Sequence, residues 1–135
     1  MSTAPVVELE VVRVMFRRTT DDQDAITQAW AELEAAVGSL RGRKFYGAFV
    51  EEAKEYQVCV QWRDGDDAAA LGLEDGLLPG GKYVRERVEG EPPAVYGLIQ
   101  PAFERLAQGN ERDPTRPEIE FYRRHDVIDL LMPVA

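Results

Sequence analysis

VVELEVVRVMF (residues 6–16) and TDDQDAITQAWAELEAAVG (residues 20–38) are joined by Arg17-Arg18-Thr19. The first stretch is rich in β-branched residues and alternates in part, which predicts a strand. The second opens on Thr20-Asp21-Asp22-Gln23, the spacing of a capping box with Thr20 as N-cap and Gln23 reaching back. Ile26, Ala29, Trp30, Leu33 and Val37 follow at helical spacing, and Gly38 suits a left-handed cap. The opening unit is therefore a strand followed by a long amphipathic helix.

The chain beyond reads as the rest of that unit and then a second copy. Lys44 to Val50 is a second strand. Tyr56 to Trp62 is a third, with Tyr56, Val58, Val60 and Trp62 on one face and Cys59 turned to the other as an inert thiol. Asp64-Gly65-Asp66 is a turn. Leu71 to Leu78 is a short strand that leads into Pro79-Gly80-Gly81. Lys82 to Glu89 alternates like an edge strand, with Arg85 and Arg87 as charges that discourage edge pairing. Pro92 and Pro93 suit the first turn of a helix. Val95, Leu98, Ile99, Ala102, Phe103 and Leu106 form its apolar face, and Gly109 caps it. A polar loop from Asn110 to Arg116 precedes a closing hairpin, Glu118 to Arg123 and Val127 to Val134.

The order strand, helix, strand, strand is thus written twice, over residues 6–62 and 73–134. Trp30 lies 73 positions before Phe103 (103 − 30), and Trp62 lies 72 before Val134 (134 − 62). The pattern predicts one α+β domain over residues 1–135, a tandem βαββ duplication with both helices on an antiparallel sheet. A groove near its pseudo-twofold axis is a natural ligand pocket.

Charge and composition remove other classes. Sixteen Lys and Arg against 25 Asp and Glu leave a formal net charge of −9. That balance opposes phosphate-led nucleic-acid binding and docking on anionic membranes. It suits a cationic ligand or a basic protein partner. One cysteine excludes an internal disulfide framework, and one histidine, His125 in a predicted turn, disfavours a metal centre or a Ser-His triad. No metal and no cofactor is expected. Asp64-Gly65-Asp66-Asp67 lacks the Gly and Glu that a calcium loop needs six and twelve positions in. The Arg41, Arg43, Lys44 run reads as a solvated turn. Met1 to Pro5 lacks the basic start of a leader, and no apolar run reaches membrane length, so a cytoplasmic location is expected.

Chemistry concentrates in Pro117-Glu118-Ile119-Glu120-Phe121-Tyr122. In a strand, Glu118, Glu120 and Tyr122 share one face. One reading leaves these carboxylates in water, paired with Arg123, Arg124 or Lys82. The other encloses Glu120 and Tyr122 in a groove beside aromatic rings, which suits a lipophilic cation. Tyr96 lies off the main stripe of the second helix and looks toward such a groove.

Three motifs then carry a resemblance. Pro79-Gly80-Gly81-Lys82-Tyr83, Glu120-Phe121-Tyr122 and Leu130-Leu131-Met132-Pro133-Val134, in that order on the duplicated layout, resemble the GyrI-like small-molecule-binding family. This domain is also the effector-binding part of certain AraC-type and MerR-type bacterial regulators. The resemblance implies a curved sheet, two helices and a central cleft whose glutamate attracts cationic aromatic ligands. It places that role on Glu120, with Tyr122 and Tyr96 beside it and Tyr46, Trp62, Tyr83 and Met132 as further cleft walls. A stand-alone member is implied, without a helix-turn-helix segment. The family leaves two alternatives open: a hydrolase of reactive toxin-like molecules, with Glu120 as base or electrostatic stabiliser and Tyr122 as its helper, and a gyrase-inhibitor-like protein-interaction module. The ligand's identity and the oligomeric state are not written in the sequence.

Overall fold

A computed structural model describes residues 4–135; Met1, Ser2 and Thr3, on which the leader expectation partly rests, lie outside the described residues. The elements are β1 (Val6–Leu9), β2 (Val12–Thr20), α1 (Gln23–Val37), β3 (Phe45–Val50), β4 (Glu55–Gln61), β5 (Glu74–Leu78), β6 (Gly81–Glu89), α2 (Ile99–Gly109), β7 (Glu118–Arg124) and β8 (Val127–Pro133). Short 3₁₀ turns at Ala69–Leu71 and Ala94–Leu98 precede β5 and α2. The strands form one antiparallel sheet in the order β1-β6-β8-β7-β3-β4-β2-β5, curled into a half-barrel that carries both helices.

That order explains the largest departure from the sequence reading. The strand expected over Val6 to Phe16 is two strands, broken at Glu10 and Val11. The pieces serve opposite halves of the sheet: β1 pairs with β6, and β2 pairs with β4 and β5. The chain at the break passes against Gly80, where a Cβ would stand 2.6 Å from the Leu9 carbonyl oxygen and 3.0 Å from the Val11 nitrogen. Each half therefore lends its first strand to the other. Consequently β6 is not an edge strand; β1 and β8 flank it. Arg87 is not an edge guard either. Its Nε donates to Asp129 Oδ1 at 2.7 Å, while Arg123 Nε donates to Oδ2 at 2.5 Å. Asp129 is 2% exposed and needs both partners.

Helix ends also shift. Thr20 still pairs with Glu55 in the β2–β4 ladder, and the helix begins three residues later, at Gln23. Asp22 is the N-cap: its Oδ1 accepts from the Ala25 backbone nitrogen at 2.9 Å, and Thr20 Oγ1 donates to its other oxygen at 2.7 Å. A carboxylate there also complements the helix dipole. The second helix begins later than expected, because Ala94–Leu98 is 3₁₀. Gly109 lies within α2, and Asn110 closes it through Nδ2 to the Leu106 carbonyl at 3.1 Å. Arg43 is not in a solvated turn. Its side chain is 6% exposed and forks onto Asp66 at 2.5 and 2.8 Å, tying the start of β3 to the loop after β4.

Two apolar layers follow from strand alternation. On the helix face, Ala29 and Leu33 of α1 meet Met15, Tyr56, Val58 and Val60, while Ala102 and Leu106 of α2 lie over Ile128, Leu130 and Met132. On the other face, Val14, Tyr46, Ala48, Cys59, Ile119 and Leu131 are buried by the curl of the sheet itself. Burial pushes the Cys59 thiol up, which keeps it protonated and unreactive.

Candidate functional site

Helix α1 packs on β2 and β4, and α2 packs on β6 and β8. The middle pair, β3 and β7, is left between them as the floor of an open cleft of about 950 Å³. Alternation sends Glu118, Glu120 and Tyr122 of β7 into it, as the sequence spacing required. Across the ladder, Phe45 pairs with Tyr122, Gly47 with Glu120, and Phe49 with Glu118.

At the centre of the floor is a three-group network. Tyr56 Oη donates to Glu120 Oε1 at 2.7 Å, and Tyr122 Oη donates to the same oxygen at 2.6 Å. The two hydroxyls lie 3.4 Å apart. Among the described residues no donor reaches Oε2, which is also absent from the buried atoms that lack a partner. Neither Arg123, Arg124 nor Lys82 bonds to Glu120; Arg123 is engaged by Asp129 on the opposite face.

Gly47 makes room for this network. A Cβ at that position would stand 1.9 Å from Tyr56 Oη and 2.9 Å from Glu120 Oε1. Trp30 of α1 supports it from the side, meeting Tyr122 edge to face at 5.3 Å and Phe45 at 6.2 Å.

Burial raises the Glu120 carboxyl above its ordinary value of 4.5, against the opposing effect of the two tyrosine hydrogen bonds. Burial and the Glu120 charge hold both Tyr56 and Tyr122 well above 10.0, so their hydroxyls remain donors. Burial raises Glu118 as well, partly opposed by Arg112. The cleft thus holds a carboxyl group largely withdrawn from solvent and hydrogen-bonded by neutral donors. A cation entering it gains a charge partner without displacing a protein cation. The same carboxylate is a weak candidate base in its present bonds, because both tyrosine protons stabilise its anionic oxygen.

Of the residues singled out in the sequence, Glu120, Tyr122 and Tyr96 line the cleft, Tyr96 from the 3₁₀ turn before α2. Four do not. Tyr46 alternates to the opposite face and stacks on Phe121 at 4.9 Å. Tyr83 lies in that same layer, its Oη donating to the Pro79 carbonyl at 2.6 Å with Arg116 over its ring. Trp62 follows the end of β4, where Nε1 donates to the Asp66 carbonyl at 3.3 Å and Arg13 lies 4.1 Å above the ring. Met132 is fully buried under α2 with Val84 and Leu106.

The sequence reading missed Tyr56, Gly47 and Trp30. Tyr56 sits in an apolar stripe with Val58 and Val60 and reads as core; only its hydroxyl's need for a partner hints otherwise. Gly47 carried a clearer signal, since it stands 73 positions before Glu120 (120 − 47), the offset that relates Trp30 to Phe103.

Comparison with known proteins adds the fold. No protein-family model matches the chain, and no curated protein matches it in sequence. Solved structures match across nearly its whole length. An integron cassette protein from the mobile metagenome of Vibrio cholerae is 20% identical, with a TM-score of 0.76 over 98% of this chain and 97% of that one. SAV2435, solved bound to tetraphenylphosphonium, is 15% identical, with a TM-score of 0.67 over 99% and 94%. The EcmrR C-terminal domain is 12% identical, with a TM-score of 0.67 over 98% and 97%. Identities this low speak to architecture alone, and the architecture these chains share with this one is consistent with a GyrI-like fold.

Proposed function

We propose that this chain is a cytoplasmic binding protein for lipophilic, cationic aromatic small molecules, which it holds in the cleft between α1 and α2 with the charge over Glu120. The observation that carries this reading is the floor network. A half-buried carboxylate receives two neutral O–H donors, has no cationic partner among the described residues, and lies beside aromatic rings. Desolvation strengthens attraction to an incoming cation, and the rings of Trp30, Phe45 and Tyr122 offer faces and edges to its flat body. A neighbour of the same fold, SAV2435, was solved with tetraphenylphosphonium, a lipophilic aromatic cation, and supports the ligand class.

A thermal-shift panel of flat lipophilic cations and their neutral isosteres tests this on wild type and Glu120→Gln. Saturating a site at about a hundred times Kd stabilises by about 2.7 kcal/mol, or roughly 10 °C for a chain of this size. Shifts are expected for the cations alone and are lost in Glu120→Gln. Equal shifts for the neutral isosteres, or none for any cation, would overturn the reading.

A further inference from the structure

The cleft walls repeat each other at a fixed interval. Ile26, Thr27 and Trp30 of α1 line one side; Ile99, Gln100 and Phe103 of α2 line the other. Each residue of the second set follows its counterpart by 73 positions (99 − 26, 100 − 27, 103 − 30).

The floor has the same interval at a single point. In the β3–β7 ladder, Phe45 pairs with Tyr122 and Phe49 with Glu118, so partners' numbers always total 167. A pair lies on the pseudo-twofold axis only if its members are also each other's repeat image, 73 apart. Gly47↔Glu120 alone meets both conditions. The one carboxylate of the network therefore belongs to the pair that straddles the axis, its image is a glycine that yields the space, and an aliphatic-aromatic wall rises on either side.

A centred charge between two matched apolar walls selects a shape. Resting on the function proposed above, we infer that the preferred ligands are two-armed: a cationic centre at the midpoint, flanked by two aromatic arms, one against Trp30 and one against Phe103. A cation of equal size with its charge at one end has to leave one wall unfilled or draw its charge off Glu120. The floor is not matched away from the axis, since Phe45 and Phe49 answer to Glu118 and Tyr122, so the two arms need not be identical.

Two constitutional isomers test this: dibenzyldimethylammonium, charged at its midpoint, and (4-benzylphenyl)trimethylammonium, charged at one end. Both carry two phenyl rings and one quaternary nitrogen. Calorimetric titration of wild type is expected to show the midpoint isomer binding about tenfold tighter or more. Trp30→Leu and Phe103→Leu are each expected to weaken it by about 3- to 10-fold, the range of one aromatic contact. Ile26→Ser and Ile99→Ser repeat the comparison at a second matched pair, and thermal melts establish which variants fold.

Equal affinity for the two isomers, tighter binding of the end-charged one, or sensitivity to one wall alone overturns the inference. If those affinities still fall in Glu120→Gln, the proposed function survives that result. If wild type binds neither isomer nor any other lipophilic cation, both fall.

Discussion

Replacing Gly47 with alanine tests the site's construction, and its expected sign runs against the usual rule. A strand glycine that changes to alanine without strain gains about 0.4–1 kcal/mol by restricting the unfolded chain. Here the new Cβ would stand 1.9 Å from Tyr56 Oη, 2.7 Å from its Cζ and 2.9 Å from Glu120 Oε1. Tyr56 is 4% exposed, and its ring packs in the α1 core, so it cannot simply swing into water. Relief requires a shift of the ring or of β3, at about 1–3 kcal/mol for overpacking. It also loosens the hydrogen bond to a charged oxygen, worth about 1.5–3 kcal/mol.

A net loss of about 2–4 kcal/mol is expected after the chain-entropy gain is set against these terms. With an unfolding entropy of about 2.1 cal/mol/K per residue, that lowers Tm by roughly 7–14 °C. Urea and thermal unfolding of four proteins read it: wild type, Gly47→Ala, Tyr56→Phe and the double variant. Removing Oη takes away the worst contact, so the double variant should be less destabilised than the two single losses added together. A Gly47→Ala protein within about 0.5 kcal/mol of wild type, or strictly additive losses, would refute the packing argument.

Three further outcomes follow from the same geometry. Burial raises the Glu120 pKa in the folded chain, so its stabilising contribution is complete below the unfolded value and lost as pH rises through the folded one; Glu120→Gln should therefore unfold no more easily than wild type at pH 7, while its affinity for a lipophilic cation falls at least about tenfold. Burial alone would raise Asp129, but hydrogen bonds from Arg87 and Arg123 hold it below its ordinary value, so its stabilisation is present at neutral pH and fades as pH drops through the folded value; Asp129→Asn should cost about 1.5–3 kcal/mol at pH 7 by urea unfolding, and less in acid. Asp66→Ala leaves the Arg43 guanidinium buried without its partner and should cost about 3–5 kcal/mol, whereas Arg43→Met with Asp66→Leu should recover much of that in the same assay.

The α+β architecture was legible because it rests on periodicity. Helix α1 buries one face, strands β4 and β8 carry apolar residues on both, and the chain repeats the order of its elements. The exchange of first strands was not legible. Val6 to Phe16 has no turn residue at Glu10 and Val11, and the contact that breaks it comes from Gly80, seventy residues away (80 − 10). Taking β6 for an edge followed directly from missing that break. At the site, Glu118, Glu120 and Tyr122 were legible as one face of one strand. Tyr46 and Tyr83 were misplaced because the resemblance gave a residue type without a face, whereas alternation from Gly47 sends Tyr46 away from the cleft. Tyr56 was hidden because a ring packed in the core and a hydroxyl aimed into a cleft look the same in a stripe of valines.

The central claim is that charge, and not shape alone, brings a ligand to Glu120. Tetraphenylphosphonium and tetraphenylborate are nearly the same tetrahedron of phenyl rings with opposite charge. Calorimetric titration of both into wild type and Glu120→Gln separates the two contributions. The phosphonium is expected to bind wild type, the borate to give no measurable heat of binding, and Glu120→Gln to weaken the phosphonium at least about tenfold. Comparable binding of the two ions, or a phosphonium affinity unchanged by Glu120→Gln, would contradict it.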